Sequence, residues 1–281
     1  MRVHLDCFPC FLRQALIALR LGTKDESLQE RILKSILEHI ENADTSKPPA
    51  YTTTFIHRKI RQLLGGDPFR DIKLKYNQIA MNLYPSLKNL VEKSNDPLWM
   101  STRLAIAGNV IDFGIFTSVD IEGAIQKALR TPLAVDDYDA LKEAILLTDK
   151  ILYLTDNAGE IVFDKILIET LIKINKRVIV ATKGSPVIND STIEDAIQTG
   201  LNEICDLIDN GSEAVGTILE WTSPAFQKIF NDAPLIISKG QGNFETLFGK
   251  NKTIFFLFQS KCDVVSKELG LTHGSMLLKK S

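Results

Sequence analysis

Apolar side chains recur every three or four positions through most of the first hundred residues, which is typical of amphipathic helices. The pattern is interrupted at Gly22, at Lys47-Pro48-Pro49 and at Gly65-Gly66, where helices are expected to stop. No stretch here alternates convincingly like a strand, so helices are predicted up to about residue 22 and over about 27–40, 52–64, 67–94 and 96–107. Pro85 is expected to kink or break the fourth of them.

Beyond Gly108 the pattern changes to short apolar runs that alternate with helical segments. Alternation of this kind is typical of a mostly parallel sheet covered by helices on both faces. The chain is therefore predicted to be an α/β protein, with an N-terminal all-helical subdomain over 1–107 and a C-terminal three-layer α/β/α subdomain over 108–281. The predicted strands are 150–155, 177–182, 203–208, 234–238 and 253–258, and the helices are 120–129, 138–147, 160–174, 192–199, 212–220, 223–231, 243–248 and 262–268.

Composition narrows the possible partners. Lys and Arg number 33 against 35 Asp and Glu, a formal net charge of −2, so no overall field favours nucleic acid or a membrane surface. No apolar run approaches the roughly 20 residues of a membrane span, and the first residues lack the apolar segment of a signal peptide. A cytoplasmic protein is expected, and nothing in the sequence indicates its oligomeric state.

Polar residues follow several of the predicted strands at the point where each strand ends. Asp156 and Asn157 follow the first, Asp190 lies in the loop after the second, and Lys239-Gly240 follows the fourth. Because the carboxyl ends of parallel strands meet at one edge of a sheet, these loops are expected to converge. Carboxylate and amide oxygens are donors that Mg²⁺ and Mn²⁺ favour. The pattern predicts a site for a divalent cation and an anionic oxygen ligand.

Each of these residues also has a structural interpretation. Asp156-Asn157 is a common way to begin a helix, and Asp190 precedes another helix start. Lys239 has the alternative of a solvated loop lysine, but a strand before it and Gly240 after it favour a position that faces a ligand. In the functional interpretation, Lys239 neutralises a phosphate oxygen and Gly240 lets backbone N–H groups approach closely.

Four further polar positions are open between a functional and a structural role. Asn109 and Asp112 lie where an apolar helix gives way to a loop, either near the metal and substrate or as buried links between the subdomains. Glu160 favours a helix N-terminus, with a supporting role at the site as the alternative. For Asn243, a contact with substrate and a structural role are equally favoured.

The pair Cys7 and Cys10 has three interpretations: structural cysteines, ligands of a metal, or a redox dithiol. A zinc site needs about four ligands, and His4 is the one candidate nearby in sequence. His57 lies beside Arg58 and has two interpretations, an exposed basic helix face or a side chain that reaches over the substrate from the helical subdomain.

Five ordered motifs resemble the damage-control phosphatase family, in particular its archaeal and bacterial branch with an N-terminal cysteine pair. They are Cys7-x-x-Cys10, Gly108-Asn109-Val110-Ile111-Asp112-Phe113-Gly114, Asp156-Asn157-Ala158-Gly159-Glu160, Pro186-Val187-Ile188-Asn189-Asp190-Ser191-Thr192 and Ser238-Lys239-Gly240-Gln241-Gly242-Asn243-Phe244-Glu245, and together they span nearly the whole chain. Many relatives have an acid where this chain has Gln241, which leaves the substrate open.

The resemblance implies metal-dependent hydrolysis of phosphate esters of small metabolites, such as sugar phosphates or damaged metabolites, with Mn²⁺, Mg²⁺, Co²⁺ or Ni²⁺ as cofactor. It makes Asp156, Asn157 and Asp190 the metal ligands and places Lys239 at the phosphate. Asp156, Lys239 and Asn109 are the predicted catalytic residues, and the predicted substrate contacts are Lys239, Gly240, Asn243 and Asp112.

Two alternative functions are kept. A parallel sheet also suits a nucleotide- or methyl-donor-dependent transferase, although no Gly-x-Gly-x-x-Gly follows a strand in this sequence. The other alternative is a noncatalytic metal- or ligand-binding protein.

Overall fold

A computed structural model describes residues 1–110 and 121–281 of the chain. The helices in these ranges are α1 (Cys7–Gly22), α2 (Glu26–Glu41), α3 (Pro49–Leu64), α4 (Arg70–Glu92), α5 (Pro97–Val110), α6 (Ile121–Arg130), α7 (Tyr138–Leu146), α8 (Glu160–Lys173), α9 (Ile193–Gln198), α10 (Pro224–Asp232), α11 (Gln241–Leu247) and α12 (Asp263–Glu268). The strands are β1 (Val135–Asp136), β2 (Lys150–Leu154), β3 (Arg177–Thr182), β4 (Asp206–Asp209), β5 (Leu235–Lys239), β6 (Ile254–Gln259) and β7 (Met276–Lys280). None of the helices in these two ranges is both long and apolar enough to span a bilayer.

The strands form one sheet in the order β1-β7-β6-β5-β2-β3-β4. Neighbouring strands from β6 through β4 are parallel, and β7 runs antiparallel to β6. From β2 the chain moves outward through β3 and β4, then returns to add β5 and β6 on the other side of β2. The carboxyl ends of β2 and β5 therefore border the point where strand order reverses, which is where open α/β sheets bind ligands. The predicted α/β fold with a mostly parallel sheet is confirmed.

The central strands are apolar on both faces because helices cover both sides of the sheet. In β2, Ile151 and Tyr153 pack into a core shared with α4, α5 and α8, whereas Leu152 and Leu154 pack on the opposite side with Phe226. Side chains alternate between the two faces of a strand, so a nearly continuous apolar run is required to fill both cores. The sheet and the helices on its two faces form the predicted three-layer arrangement.

The helical part of the chain is divided between two cores. Helices α1 to α3 form a core of their own that contains Phe11, Ile36 and Ile56. Helices α4 and α5 instead share the core of the sheet, and α5 packs along α8. The predicted subdomain boundary between residues 107 and 108 falls inside α5, and the division into 1–107 and 108–281 stays a prediction.

The structure corrects two expectations about helices. Helix α4 continues through Pro85, so the expected break is absent, and the alternative of a kink stays a prediction. Pro85 is exposed, so water can satisfy the carbonyl left free by the missing N–H. The helix expected over 212–220 is absent apart from a single 3₁₀ turn at Leu219–Trp221. Gly211 and Gly216 adopt positive φ angles of 70° and 66°, which end any helical path between them.

Strands β1 and β7 were not predicted. Two-residue β1 is too short to leave a periodic signal, and among the described strands it pairs with β7 alone, at the sheet edge. The predicted strand at 203–208 lies slightly later, at Asp206–Asp209.

Gly108 provides a test of the close packing between α5 and α8. A Cβ atom at this position would lie 2.8 Å from Phe163 Cβ and 2.9 Å from Phe163 Cγ, which are atoms that cannot swing away. We expect Gly108→Ala to lower the free energy of unfolding by about 1–3 kcal/mol through overpacking, measured by urea denaturation. The control is Gly66→Ala, because nothing lies within 4 Å of a Cβ at Gly66. Equal stability of the two variants would contradict the tight α5–α8 contact.

Candidate active site

The loops after β2 and β3 are joined by backbone hydrogen bonds at the carboxyl edge of the sheet. Asn157 and Asp190 pair as an isolated bridge, Ala158 N donates to Asn189 O at 2.9 Å, and Ser191 N donates to Asp156 O at 2.7 Å. These bonds fix the two loops against each other, so the side chains of Asp156, Asn157 and Asp190 are brought to one place. The expected convergence of these strand ends is observed.

The loop after β5 reaches the same place through Gly240. Its φ angle is +82°, and a Cβ atom there would lie 2.1 Å from the Asp156 carboxyl group. Only glycine satisfies both conditions, because any other side chain would be strained and would displace Asp156. Gly240 is therefore required by the close approach of the β5 loop to Asp156, and its predicted substrate contact stays a prediction.

Asn243 connects the ends of β2 and β5 through hydrogen bonds of its side-chain amide. Its Nδ2 donates to Lys239 O at 2.8 Å and to Thr155 O at 3.2 Å, and its Oδ1 accepts from Thr217 Oγ1 at 2.7 Å. With both ends of the amide bound to the protein, the contacts support the structural interpretation of Asn243 rather than the predicted contact with substrate.

Asn109 connects the end of α5 to the acidic groups of the site. Its Nδ2 donates to Asp156 Oδ2 and to Glu160 Oε2, both at 2.9 Å, while its Oδ1 accepts from Gln259 N at 3.0 Å. Asn157 Nδ2 donates to the same two carboxylates at 2.7 and 2.9 Å. Two amides thus hold Asp156 and Glu160 side by side. The other predicted residue of this motif, Asp112, lies outside the described residues.

The carboxylates of the site are buried close to one another. Burial raises the pKa of Asp156 well above its ordinary value, and the nearby Glu160 and Asp190 raise it further. Burial likewise raises the pKa of Asp190, against the opposing charge of Lys183, whose Nζ lies 3.3 Å from Asp190 Oδ2. A buried group of acids is stabilised in its charged form by a cation, so the electrostatics favour binding of one here.

Lys239 lies beneath the site and is fully buried. Its Nζ donates to Asp164 Oδ1 at 2.5 Å, to Glu160 Oε1 at 2.6 Å and to Ala105 O at 2.9 Å. An ammonium group has three protons to donate, and all three are used. This arrangement does not support the predicted contact of Lys239 with a phosphate.

The charges around Lys239 depend on one another. Burial opposes its protonation, but Asp164 and Glu160 together raise the pKa of Lys239. Lys239 in turn lowers the pKa of Glu160 against the effect of burial. Burial raises the pKa of Asp164 to about 7, although Lys239 opposes the shift. The lysine is the charged partner that allows Glu160 to stay ionised next to Asp156.

The predicted metal ligands are two carboxylates and one amide. Hard divalent cations accept this donor set, because it supplies only oxygen and leaves positions for water or phosphate. In the described part of the chain, no group of three or more His, Cys, Asp or Glu side chains is arranged to hold a metal ion. The chemistry of Asp156, Asn157 and Asp190 fits a bound divalent cation, and their ligation of one stays a prediction.

A cavity of about 220 Å³ lies above the acidic group, between the sheet edge and the helical part of the chain. Its floor includes Asp156, Asn157 and Asp190, and Lys261 extends from the loop after β6. His57 also lines this cavity and is only 5% exposed, so the interpretation of His57 as part of an exposed basic face is wrong.

Several residues of the site were not singled out from the sequence. Asp164 and Lys183 are charged side chains within segments that looked like ordinary helix and loop, and Gln14 lies on a helix far from the strand ends. Lys261 follows the predicted strand 253–258 by three residues, so its position at a strand end was a signal that was not used. A signal for Asp164 did exist: it follows Glu160 by four positions inside an apolar helix, which places two acids on one buried helix face.

The cysteines are all free thiols, at positions 7, 10, 205 and 262. Burial raises the pKa of Cys7 and of Cys10, which lowers the fraction of reactive thiolate. This favours the structural interpretation of the Cys7 and Cys10 pair over the redox one.

Comparison with known proteins agrees with this architecture. Residues 3–277 match the family described as "Damage-control phosphatase ARMT1-like domain". A protein of Pyrococcus horikoshii named damage-control phosphatase is 37% identical over 99% of this chain and 97% of its own length. A protein of the same name from Archaeoglobus fulgidus is 32% identical over 99% of both chains.

A solved structure is similar throughout. The crystal structure of a DUF89 family protein from Pyrococcus horikoshii superposes with a TM-score of 0.92, at 35% identity, and the match covers 100% of this chain and 99% of the other. The agreement of a family match, full-length relatives and fold shows that this chain belongs to the damage-control phosphatase ARMT1-like family.

Proposed function

We propose that this protein is a divalent-metal-dependent phosphatase that hydrolyses phosphate monoesters of small metabolites. The observation that carries the proposal is the convergence of Asp156, Asn157 and Asp190, two buried carboxylates and an amide, beneath a cavity of about 220 Å³. Membership of the damage-control phosphatase family and the names of two relatives support the reaction class.

In this proposal Asp156, Asn157 and Asp190 hold the cation, with Mn²⁺, Mg²⁺, Co²⁺ and Ni²⁺ as candidates. When bound, a divalent cation supplies positive charge that stabilises the phosphate oxygens as the ester bond breaks. The donor oxygens face a cavity large enough to admit a phosphate group as well.

The surrounding residues position this set. Asn109 holds the Asp156 carboxylate from α5, and Lys183 holds the Asp190 carboxylate from the loop after β3. Lys239 balances the charge of Glu160 from below. Lys261 lies at the cavity and raises the local positive potential, so we assign it, in place of Lys239, to attraction of the substrate phosphate.

The alternatives fit less well. A nucleotide- or methyl-donor-dependent transferase is disfavoured because no Gly-x-Gly-x-x-Gly follows a strand in this sequence. The names of the two relatives favour a phosphatase over a noncatalytic binding protein. The proposed substrate is a small phosphorylated metabolite, and the free cysteines fit a cytoplasmic location.

A screen of phosphate esters with each of the four metals tests the proposal. We expect wild-type protein to release inorganic phosphate from an aryl phosphate and from small sugar phosphates only when a divalent metal is added. Tight metal binding in calorimetry with no turnover of any ester would instead favour the noncatalytic alternative.

Asp156→Ala tests the metal set. Removal of a carboxylate ligand should lower phosphate release by about 100-fold or more and abolish the rise in Tm that Mn²⁺ causes in the wild-type protein. The control is Asp232→Ala, which removes an exposed carboxylate on α10 and should change neither measurement. Phosphate release by Asp156→Ala at the wild-type rate would contradict the proposal.

Lys239→Met tests the buried ion pairs under the site. The substitution leaves Glu160 and Asp164 buried without their cation, so we expect the free energy of unfolding to fall by about 3–5 kcal/mol. Lys88→Met removes a partly exposed pair with Glu169 and should cost about 1 kcal/mol or less. Urea denaturation of both variants measures the difference, and similar values for the two would contradict the role given to Lys239.

A further inference from the structure

Two side chains from the helical part of the chain carry unpartnered polar atoms at the cavity. Gln14 of α1 and His57 of α3 line the same cavity as Asp156. Gln14 Oε1 and His57 Nε2 are buried and have no hydrogen-bond partner among the described residues. A buried polar atom without a partner costs about 1–3 kcal/mol, so two such atoms in one cavity point to a ligand that supplies the missing bonds.

The free atom of Gln14 is an acceptor. Its Nε2 donates to Cys10 Sγ, one turn earlier on α1, at 3.5 Å. That contact holds the amide by its nitrogen end and leaves the oxygen for a donor. Cys10 of the Cys7-x-x-Cys10 motif thus helps to orient a side chain of the cavity.

His57 presents a neutral imidazole. Burial and the nearby Arg61 lower the pKa of His57 to about 4, so the ring carries no charge at neutral pH. The ring packs beside Phe69, with ring centroids 6.2 Å apart. A neutral imidazole donates through one nitrogen and accepts through the other, and it therefore matches an uncharged polar group better than a phosphate.

The residues that line the cavity differ in chemistry. Asp156, Asp190 and Lys261 come from the loops at the sheet edge and suit a cation and a phosphate, whereas Gln14 and His57 are uncharged and Ile17 is apolar. A phosphate ester with its phosphate at the floor would extend its alcohol portion toward Gln14 and His57. A hydroxyl group can donate a hydrogen bond to Gln14 Oε1, and it can donate to or accept from His57 Nε2 according to the tautomer of the ring.

We infer that Gln14 and His57 form a subsite that binds a hydroxyl group on the alcohol portion of the phosphate ester, and that they select hydroxylated esters over those without a hydroxyl. The inference rests on the proposed phosphatase function. It assigns to the helical part of the chain the choice of substrate, while the sheet edge holds the reacting phosphate.

The test compares two three-carbon esters, glycerol 1-phosphate and propyl phosphate, which differ only in hydroxyl groups. The variants are Gln14→Met and His57→Phe, which keep side-chain size and remove the polar atoms. We expect each variant to lose about 10-fold in kcat/KM for glycerol 1-phosphate and less than about threefold for propyl phosphate, since only the first ester loses a hydrogen bond.

Thermal unfolding separates this role from a purely structural one, because the loss of a structural contact would lower Tm. Removing a buried polar atom that has no partner should leave Tm unchanged or raise it in both variants. Matched controls are Gln78→Met on α4 and His39→Phe on α2, which lie outside the cavity and should keep the wild-type preference between the two esters.

The outcomes are distinguishable. A wild-type preference that persists in both cavity variants overturns the inference, and so does an equal loss on both esters together with a lowered Tm. If wild-type protein with metal releases phosphate from neither ester and from no aryl phosphate, the proposed function fails and the inference with it. A selective loss in either variant supports the subsite.

Discussion

The site depends on burying several carboxyl groups close together at one edge of the sheet. Burial raises the pKa of Asp156 and of Asp190, and the nearby Glu160 raises both of these pKa values further. The folded chain offsets this repulsion with a fully buried cation, Lys239, and with the two amides of Asn109 and Asn157. Such an arrangement is unfavourable by itself, since apolar residues would fill the same volume with less desolvation. Its persistence is expected where the charges serve a ligand.

The burial of these acidic groups also explains why α5 packs as part of the α/β core. Asn109, near the end of α5, bonds to Asp156, and Ala105 of the same helix accepts a hydrogen bond from Lys239. The tight contact of Gly108 with Phe163 holds α5 against α8 at the depth that these bonds require. The helical part of the chain therefore supports the acidic group directly, besides forming one wall of the cavity above it.

Much of this architecture was predictable because it follows from local pattern. Apolar strands that end in Asp156-Asn157 and before Asp190 must meet at one edge if the sheet is parallel, and they do. The direction of the Lys239 side chain could not be predicted from its place at the end of a strand. It is the last residue of β5, and alternation places it on the same face as Leu235 and Ile237, which pack toward α8. Its side chain therefore enters the layer between sheet and helices instead of extending beyond the edge.

Gln14 could not be found from the sequence, because it lies on a helix that looks like an ordinary amphipathic segment. His57 was considered as a side chain that reaches over the substrate, but the local pattern equally fitted an exposed basic face, and only the packing of α3 over the sheet edge distinguishes the two.

The cavity also contains a strained backbone. Ile188 has a φ angle of +47°, which is rare for a β-branched residue, and it lies two residues before Asp190 in the loop after β3. Strain of this kind persists only where surrounding contacts enforce it, and the bridge between Asn157 and Asp190 fixes this loop close to Ile188. Unpartnered polar atoms, buried acids and a strained residue thus occur together around one cavity. Each lowers stability when considered alone, and their common location is most simply explained if the bound ligands satisfy them together.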